Sequence, residues 1–339
     1  MNKKRVLLSG IGGFFGSHLL AHILTKTDWE VVGVASWQHK GVPERILDDI
    51  HYQENKDRVT IITHDLVAPF SELSMRKMGK IDYILNIASE SHVDRSITDP
   101  VPFIKNNVDV ALNMLEAARI LKPEVFIQFS TDEVYGCAPE GVDHAEWSPI
   151  IPSNPYSASK AAQEAIAISY WRTYNVPVII TNTMNLMGER QDKEKFIPIC
   201  IRKILAGEEI TIHSYPDKTT PGSRFYIHAR NAADGLLFIL DNLPAKFFGQ
   251  ADRPDRYNIV GEKEVDNLTL ANMIANILDK PLKYILTDFH SSRPGHDSRY
   301  ALSGEKLAKE GWTPPVSLER SLESMILWTL KPENKKWIQ

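Results

Sequence analysis

Two short stretches of the 339-residue chain carry residue types that move protons. Tyr156 and Lys160 stand four apart in Pro155-Tyr156-Ser157-Ala158-Ser159-Lys160. On a helix, that spacing puts both on one face. An ammonium beside a phenol favours the phenolate and lowers its pKa from about 10. So tuned, Tyr156 removes a hydroxyl proton near neutral pH while a hydride leaves the same carbon for an acceptor. The second stretch is Ser130-Thr131-Asp132-Glu133-Val134-Tyr135-Gly136. It sets a hydroxyl and two carboxylates at the end of the apolar run Val125–Phe129. Adjacent carboxylates repel, so one is expected to have a raised pKa and hold a proton. A protonated and an ionised carboxylate then serve as a general acid and base pair. The plain alternative is a Ser-Thr-Asp cluster that caps a helix.

These residues need elements to hold them. Arg5–Ser9, Glu30–Ala35, Val59–Thr63, Ile81–Ile87, Val125–Phe129 and Val176–Thr181 are short apolar runs, several rich in valine and isoleucine. Their near-continuous hydrophobicity suits strands buried on both faces. Helical spacing lies between them at Gly13–Thr25, Val101–Leu121 and Ser157–Tyr174. Alternation of this kind predicts an α/β fold with a Rossmann-type, doubly wound parallel sheet. Ligands of open α/β sheets bind beyond the C-terminal ends of the strands, where Thr131–Glu133 would stand.

The hydride acceptor is announced by the first strand. It runs into Gly10-Ile11-Gly12-Gly13-Phe14-Phe15-Gly16, with glycines at Gly10, Gly13 and Gly16. A glycine-rich turn between a strand and a helix lets the backbone approach a pyrophosphate, and the helix N-terminus supplies N–H donors. This points to a nicotinamide dinucleotide, against the plain alternative of a tight turn. The second strand ends Ala35-Ser36-Trp37-Gln38-His39-Lys40, with no carboxylate for a ribose 2′-hydroxyl. Ser36, His39 and Lys40 suit the 2′-phosphate of NADP. Equally, Ser36 or Gln38 touches the ribose of NAD while Lys40 is solvated, so both cofactors stay open. Asp65 and Leu66, after the third strand, are candidates for contact with the adenine.

Composition narrows the rest. Hydrophobic residues make up 43% and charged residues 24%, as in an ordinary globular protein. A net charge of −4 gives no bulk attraction to nucleic acid or to an anionic membrane. Cys137 and Cys200 make neither a disulfide framework nor a cysteine zinc site, so no metal is expected and a cytoplasmic location is. Lys3, Lys4 and Arg5 precede an apolar stretch, but its glycines speak against a signal peptide. Past about residue 185 prolines cluster and the strands shorten. The expected division is a dinucleotide-binding domain carrying the catalytic residues over 1–184 and a smaller α/β substrate-binding lobe over 185–339. The chain is expected to return to the first domain around 225–240.

With these motifs in place, the sequence resembles the extended short-chain dehydrogenase/reductase superfamily and, within it, the nucleotide-sugar 4,6-dehydratases of the dTDP-glucose type. The resemblance spans nearly the whole chain. It is carried by Gly10–Gly16, by Ala88-Ser89-Glu90-Ser91-His92-Val93-Asp94-Arg95-Ser96 and by Ser130–Gly136. Pro152–Lys160, Glu194-Lys195-Phe196-Ile197-Pro198 and Arg293-Pro294-Gly295-His296-Asp297 extend it. The Thr-Asp-Glu triplet discriminates most, because epimerases and decarboxylases of the superfamily usually lack both carboxylates there. The resemblance implies an NDP-hexose substrate, with Tyr156, Lys160 and Thr131 oxidising C4. Glu133 would take the C5 proton and Asp132 would protonate the departing C6 hydroxyl. The stored hydride would return to C6, giving a 4-keto-6-deoxyhexose.

It further implies that Gly10, Gly13, Phe14, Phe15, Gly16, Ser36, Lys40, Asp65, Leu66, Ala88 and Ser89 contact the cofactor, together with Tyr156 and Lys160. Ser91, His92, Asn185, Lys195, Phe196, Arg224, Asn258, Arg293 and His296 would contact the substrate. A homodimer through the helices near 101–121 and 157–174 is implied as well. Three departures fall in binding regions: the missing acid after the second strand, Arg224 displaced two positions toward Tyr226, and Asn185 followed by Leu186. They leave the nucleotide and the sugar open. The alternatives are a 4-epimerase or 5,6-dehydratase of the same superfamily, and a non-catalytic dinucleotide-binding protein.

Overall fold

The computed structural model describes residues 3–38, 40–288 and 297–339. Twelve strands are described: β1 Arg5–Ser9, β2 Glu30–Ala35, β3 Val59–Thr63, β4 Tyr83–Asn86, β5 Val125–Thr131, β6 Val178–Thr183, β7 Asn185–Met187, β8 Ile210–Ser214, β9 Ser223–His228, β10 Asp255–Ile259, β11 Glu264–Asp266 and β12 Tyr284–Asp288. The helices begin with α1 Phe14–Lys26, α2 Glu44–Leu47, α3 Ile50–Asn55, α4 Glu72–Met78, α5 Val93–Thr98 and α6 Pro100–Leu121. They continue with α7 Pro155–Tyr174, α8 Phe196–Ala206, α9 Ala229–Asn242 and α10 Asn267–Leu278, and with Glu305–Lys309 and Leu318–Leu330.

Seven strands form one sheet in the order β10-β6-β5-β4-β1-β2-β3, all paired in parallel. Side chains on both of its faces are buried: Val6 and Leu8 enter one apolar cluster and Leu7 the other. That two-sided burial is why the strands read as unbroken apolar runs. The predicted strands Arg5–Ser9, Glu30–Ala35 and Val59–Thr63 are observed with those bounds. β4 is shorter than the apolar run Ile81–Ile87, and β6 begins two residues later than Val176 because Pro177 lacks an N–H to donate.

The order reverses between β1 and β4, so the C-terminal ends of these strands open a crevice above the sheet. Past β6 the chain builds a second layer. β11, β9 and β7 form a three-stranded sheet, and β12 pairs with β8. A separate apolar cluster under these strands joins Ile201, Ile212 and Leu270 to Leu322 and Ile326 of the C-terminal helix. The path then crosses back. Ala232, Ala233 and Leu236 of α9 share the cluster of α1, and β10 pairs with β6 at the edge of the seven-stranded sheet. The short strands β7, β9 and β11 carry no clear alternation and were not expected.

Candidate active site

The glycine turn is set by backbone geometry. Gly10 has φ of +69°, in the left-handed region that suits glycine. A Cβ at Gly16 would lie 2.1 Å from the carbonyl oxygen of Gly10. Gly13 caps α1 without a side-chain hydrogen bond, which leaves first-turn N–H groups for an anionic ligand. Above this turn lies a cavity of about 400 Å³. Its walls include Ser36 and Lys40 after β2, Asp65 and Leu66 after β3, and Ala88 and Ser89 after β4. Glycines closed against their own backbone beside an open helix terminus fit a dinucleotide pyrophosphate.

The catalytic candidates form the deep wall of the same cavity. Thr131 ends β5 and Asp132 and Glu133 open the 3-10 turn that follows it, Asp132–Tyr135, while Tyr156 and Lys160 project from the first turns of α7. Asn154 caps α7 by accepting from the Ser157 N–H, and the Ser157 hydroxyl accepts from the Asn154 N–H. This capping box fixes where Tyr156 stands. The Thr131 hydroxyl donates to Asp132 Oδ1 at 2.7 Å. Asn154 Nδ2 and the Tyr300 hydroxyl each donate to Glu133 Oε2 at 3.4 Å.

Burial, then the charge of Glu133, pushes Asp132 up to about 7. Burial raises Glu133 as well. Two carboxyl groups in one buried site resist ionising together, so Asp132 is the one that retains a proton near neutral pH. Asp132 Oδ2, Ser130 Oγ, Thr183 Oγ1 and Asn185 Oδ1 are buried polar atoms lacking a hydrogen-bond partner within the protein. All four belong to residues of the cavity wall, which suits a ligand rich in hydroxyls.

One expectation is corrected. Lys160 does not lower the pKa of Tyr156; burial, then Glu133, holds the phenol well above its ordinary value. The reason is where the ammonium points. Lys160 Nζ donates to the Phe129 carbonyl at 2.6 Å and to Gln163 Oε1 at 2.7 Å. Burial brings its own pKa down to about 7.

Every other proposed cofactor residue lines the cavity, as do Ser91, His92, Asn185, Lys195 and Phe196. Two substrate candidates do not. The Arg224 guanidinium donates to the carbonyls of Ser223, Ser298 and Asp297 at 2.6–2.7 Å and stacks on Tyr300. It holds the 297–300 segment behind Glu133. Asn258 Nδ2 donates to the carbonyls of His144 and Ser303, away from the cavity. Arg293 and His296 lie outside the described residues.

Sequence reasoning missed the support behind Thr131. Asn182 Nδ2 donates to the Thr131 carbonyl at 3.0 Å and to Glu164 Oε1 at 2.9 Å. Glu164 Oε2 accepts from Arg256 at 2.7 Å, with both side chains fully buried. Arg256 also donates to the Tyr135 hydroxyl and stacks on Trp147. Gln163 was legible, three residues past Lys160 on one helix face; the Glu164–Arg256 pair, 92 residues apart, was not. Also missed was the mouth of the cavity. There Lys40 Nζ lies 2.8 Å from Asp192 and 3.1 Å from Glu194, and Arg95 reaches Glu194 at 2.9 Å. Burial acts to raise both carboxyl groups, but hydrogen bonds from Lys40 hold them below their ordinary range.

A glycine turn, a Tyr-x-x-x-Lys helix and a reversed parallel sheet define an extended short-chain dehydrogenase/reductase. Residues 7–325 match the model of the GDP-mannose 4,6-dehydratase family, so the chain belongs to that family of nucleotide-sugar dehydratases. It is 31% identical over 359 residues to dTDP-glucose 4,6-dehydratase 1 of Escherichia coli, covering 98% of this chain and 94% of that protein. Among solved structures it is similar to the dTDP-glucose 4,6-dehydratase DesIV from Streptomyces venezuelae with NAD bound. That match has a TM-score of 0.84, 29% identity and 98% coverage of each chain. It is also similar to the UDP-glucose 4-epimerase of Thermus thermophilus in complex with NAD, with a TM-score of 0.81, 25% identity and coverage of 97% and 99%. Dehydratase and epimerase share this fold, so fold alone does not separate the two reactions.

Proposed function

We propose that this chain removes water from an NDP-hexose of the dTDP-glucose kind, leaving an NDP-4-keto-6-deoxyhexose. The observation that carries the reading is the buried Asp132–Glu133 pair beside Tyr156 and Thr131. Epimerisation at C4 has no use for an acid and a base at C5 and C6.

With the pyrophosphate of the dinucleotide held in the glycine cradle, its oxidised nicotinamide would supply reversible hydride storage and a positive charge that favours the Tyr156 phenolate. Tyr156 then takes the proton of the sugar 4-hydroxyl, with Thr131 holding the phenol oxygen by a hydrogen bond. The resulting 4-ketone acidifies C5. Glu133, oriented by Asn154 and Tyr300, removes the C5 proton. Asp132, protonated near neutral pH, delivers its proton to the C6 hydroxyl, which departs as water. Lys160 anchors the Tyr156 turn to β5 through the Phe129 carbonyl. Asn185, Lys195 and Phe196, on the facing wall, are assigned to the nucleotide portion, with Ser91 and His92 beside the sugar.

In this reading the seven-stranded sheet holds the dinucleotide, and the layer built from β7, β8, β9, β11 and β12 holds the nucleotide sugar. The enzyme works as a cytoplasmic homodimer. Its interface is α6 and α7, which leave Val101, Leu112, Ile120 and Tyr174 exposed. Sedimentation reads the mass directly, and a monomer at working concentration would end that assignment. Among the described residues, no helix is long and apolar enough to cross a membrane, and no metal-binding cluster is present.

A panel of dTDP-, UDP-, CDP- and GDP-linked hexoses tests the function. Dehydration lowers the product mass by one water, and the dTDP-hexose should turn over fastest. Products of unchanged mass would establish an epimerase instead.

A further inference from the structure

The loop after β2 lacks the carboxylate that would hold a ribose 2′-hydroxyl, and its Lys40 suits a 2′-phosphate. In the structure Lys40 is already matched. Asp192 Oδ2 and Glu194 Oε2 flank its ammonium at 2.8 and 3.1 Å. Both carboxylates come from the turn before α8, with Glu194 154 residues along the chain from Lys40. They are fixed in place. Asp192 Oδ1 accepts from the Glu194 N–H at 3.0 Å, and the Asp192 carbonyl accepts from the Lys195 N–H. Glu194 is further held by Arg95 at 2.9 Å and faces His92 at 3.4 Å.

Arg45 is the next cation on this wall. It donates to the carbonyls of Gly12, Lys40 and Arg190, so it braces the loop against the glycine turn. A 2′-phosphate approaching Lys40 would meet two carboxylates at the same ammonium. A 2′-hydroxyl carries no charge to repel.

We propose that Asp192 and Glu194 set the dinucleotide preference of this site, by holding Lys40 and opposing a 2′-phosphate, so that the chain selects NAD over NADP. Discrimination against the 2′-phosphate thus comes from a second loop that meets the one after β2 at Lys40. The inference rests on the reading that the glycine cradle binds a nicotinamide dinucleotide.

Titration calorimetry of the full-length protein tests it, with NAD and NADP as the probes and no turnover required. The wild type should bind NAD at least tenfold more tightly. In D192N/E194Q, which keeps the shape of both side chains, the ratio should narrow about tenfold through tighter NADP binding. Retained NAD affinity in that variant reports an intact fold. Adding Lys40→Gln should remove the gained NADP affinity, and added salt should weaken it. Equal affinities in the wild type, an unmoved ratio in D192N/E194Q, or a gain that survives Lys40→Gln would each overturn the assignment. Those three results leave the dehydratase reading standing, whereas binding of neither dinucleotide would sink both.

Discussion

The cavity has two walls built on opposite principles. The deep wall, from Thr131 to Lys160, stands on the end of a central strand and the first turns of a 20-residue helix. Its polar groups are buried and interlocked, down to the Glu164–Arg256 pair beneath Thr131. The mouth, from Ser36 and Lys40 across to Asp192–Glu194, stands on loops. Its ion pairs are partly exposed, with Lys40 41% and Glu194 42% accessible. Buried networks fix one geometry and are costly to break, whereas exposed pairs contribute little stability and leave a surface open to change. On the proposed assignments, the chemistry sits on the first kind of wall and the selection of ligands on the second.

The largest effect should come from Tyr156→Phe. Turnover should fall by about 10⁴-fold, at the upper end of what one acid–base group contributes, with dinucleotide binding retained. Near-normal turnover would remove the phenol from the reaction. Glu164→Ala leaves Arg256 buried without its anion and should cost about 3–5 kcal/mol of unfolding free energy in a denaturant titration. A loss below 1 kcal/mol would show that the two walls are not built differently. Gly16→Ala drives a methyl group into the Gly10 carbonyl and should cost about 1–3 kcal/mol with weakened dinucleotide binding.

The pH dependence sharpens the contrast further. Asp132 has a folded pKa of about 7, raised above its unfolded value near 3.8. Its contribution to stability is therefore complete below pH 4 and is lost as pH rises through 7. Lys160, lowered to about 7, runs the other way, so the test compares Asp132→Asn with the parent. The variant should gain thermal stability relative to the parent at pH 8 and little at pH 4. Its turnover should be poor at every pH, while that of the parent falls as pH rises past 7. The smallest effect belongs to the mouth: Arg95→Gln should change unfolding free energy by less than about 1 kcal/mol.

Legibility follows the same division. The strands of the central sheet and the helix bearing Tyr156 announce themselves, because two-sided burial and helical spacing leave periodic marks. Thr131, Asp132 and Glu133 are legible because they follow a buried strand directly. The direction of the Lys160 ammonium was not legible, since it depends on the Phe129 carbonyl across a packed interface. The bracing by Arg224 was hidden for a related reason. An arginine near a phosphate site and one that braces three carbonyls have the same letter, and only the fold of 297–300 tells them apart. The Lys40–Asp192 contact spans two loops with no shared period, so no pattern along the chain marks it.

The position of β10 has a consequence for how the molecule is made. Strand β6 ends at Thr183, and its outer neighbour β10 begins only at Asp255. During synthesis, the outer edge of β6 has no strand to pair with until β7, α8, β8, β9 and α9 have emerged from the ribosome. An open edge of that kind is a template for mispairing. Completion of the central sheet therefore waits on these intervening elements, and a nascent chain halted between Thr183 and Asp255 would be the species most prone to aggregate.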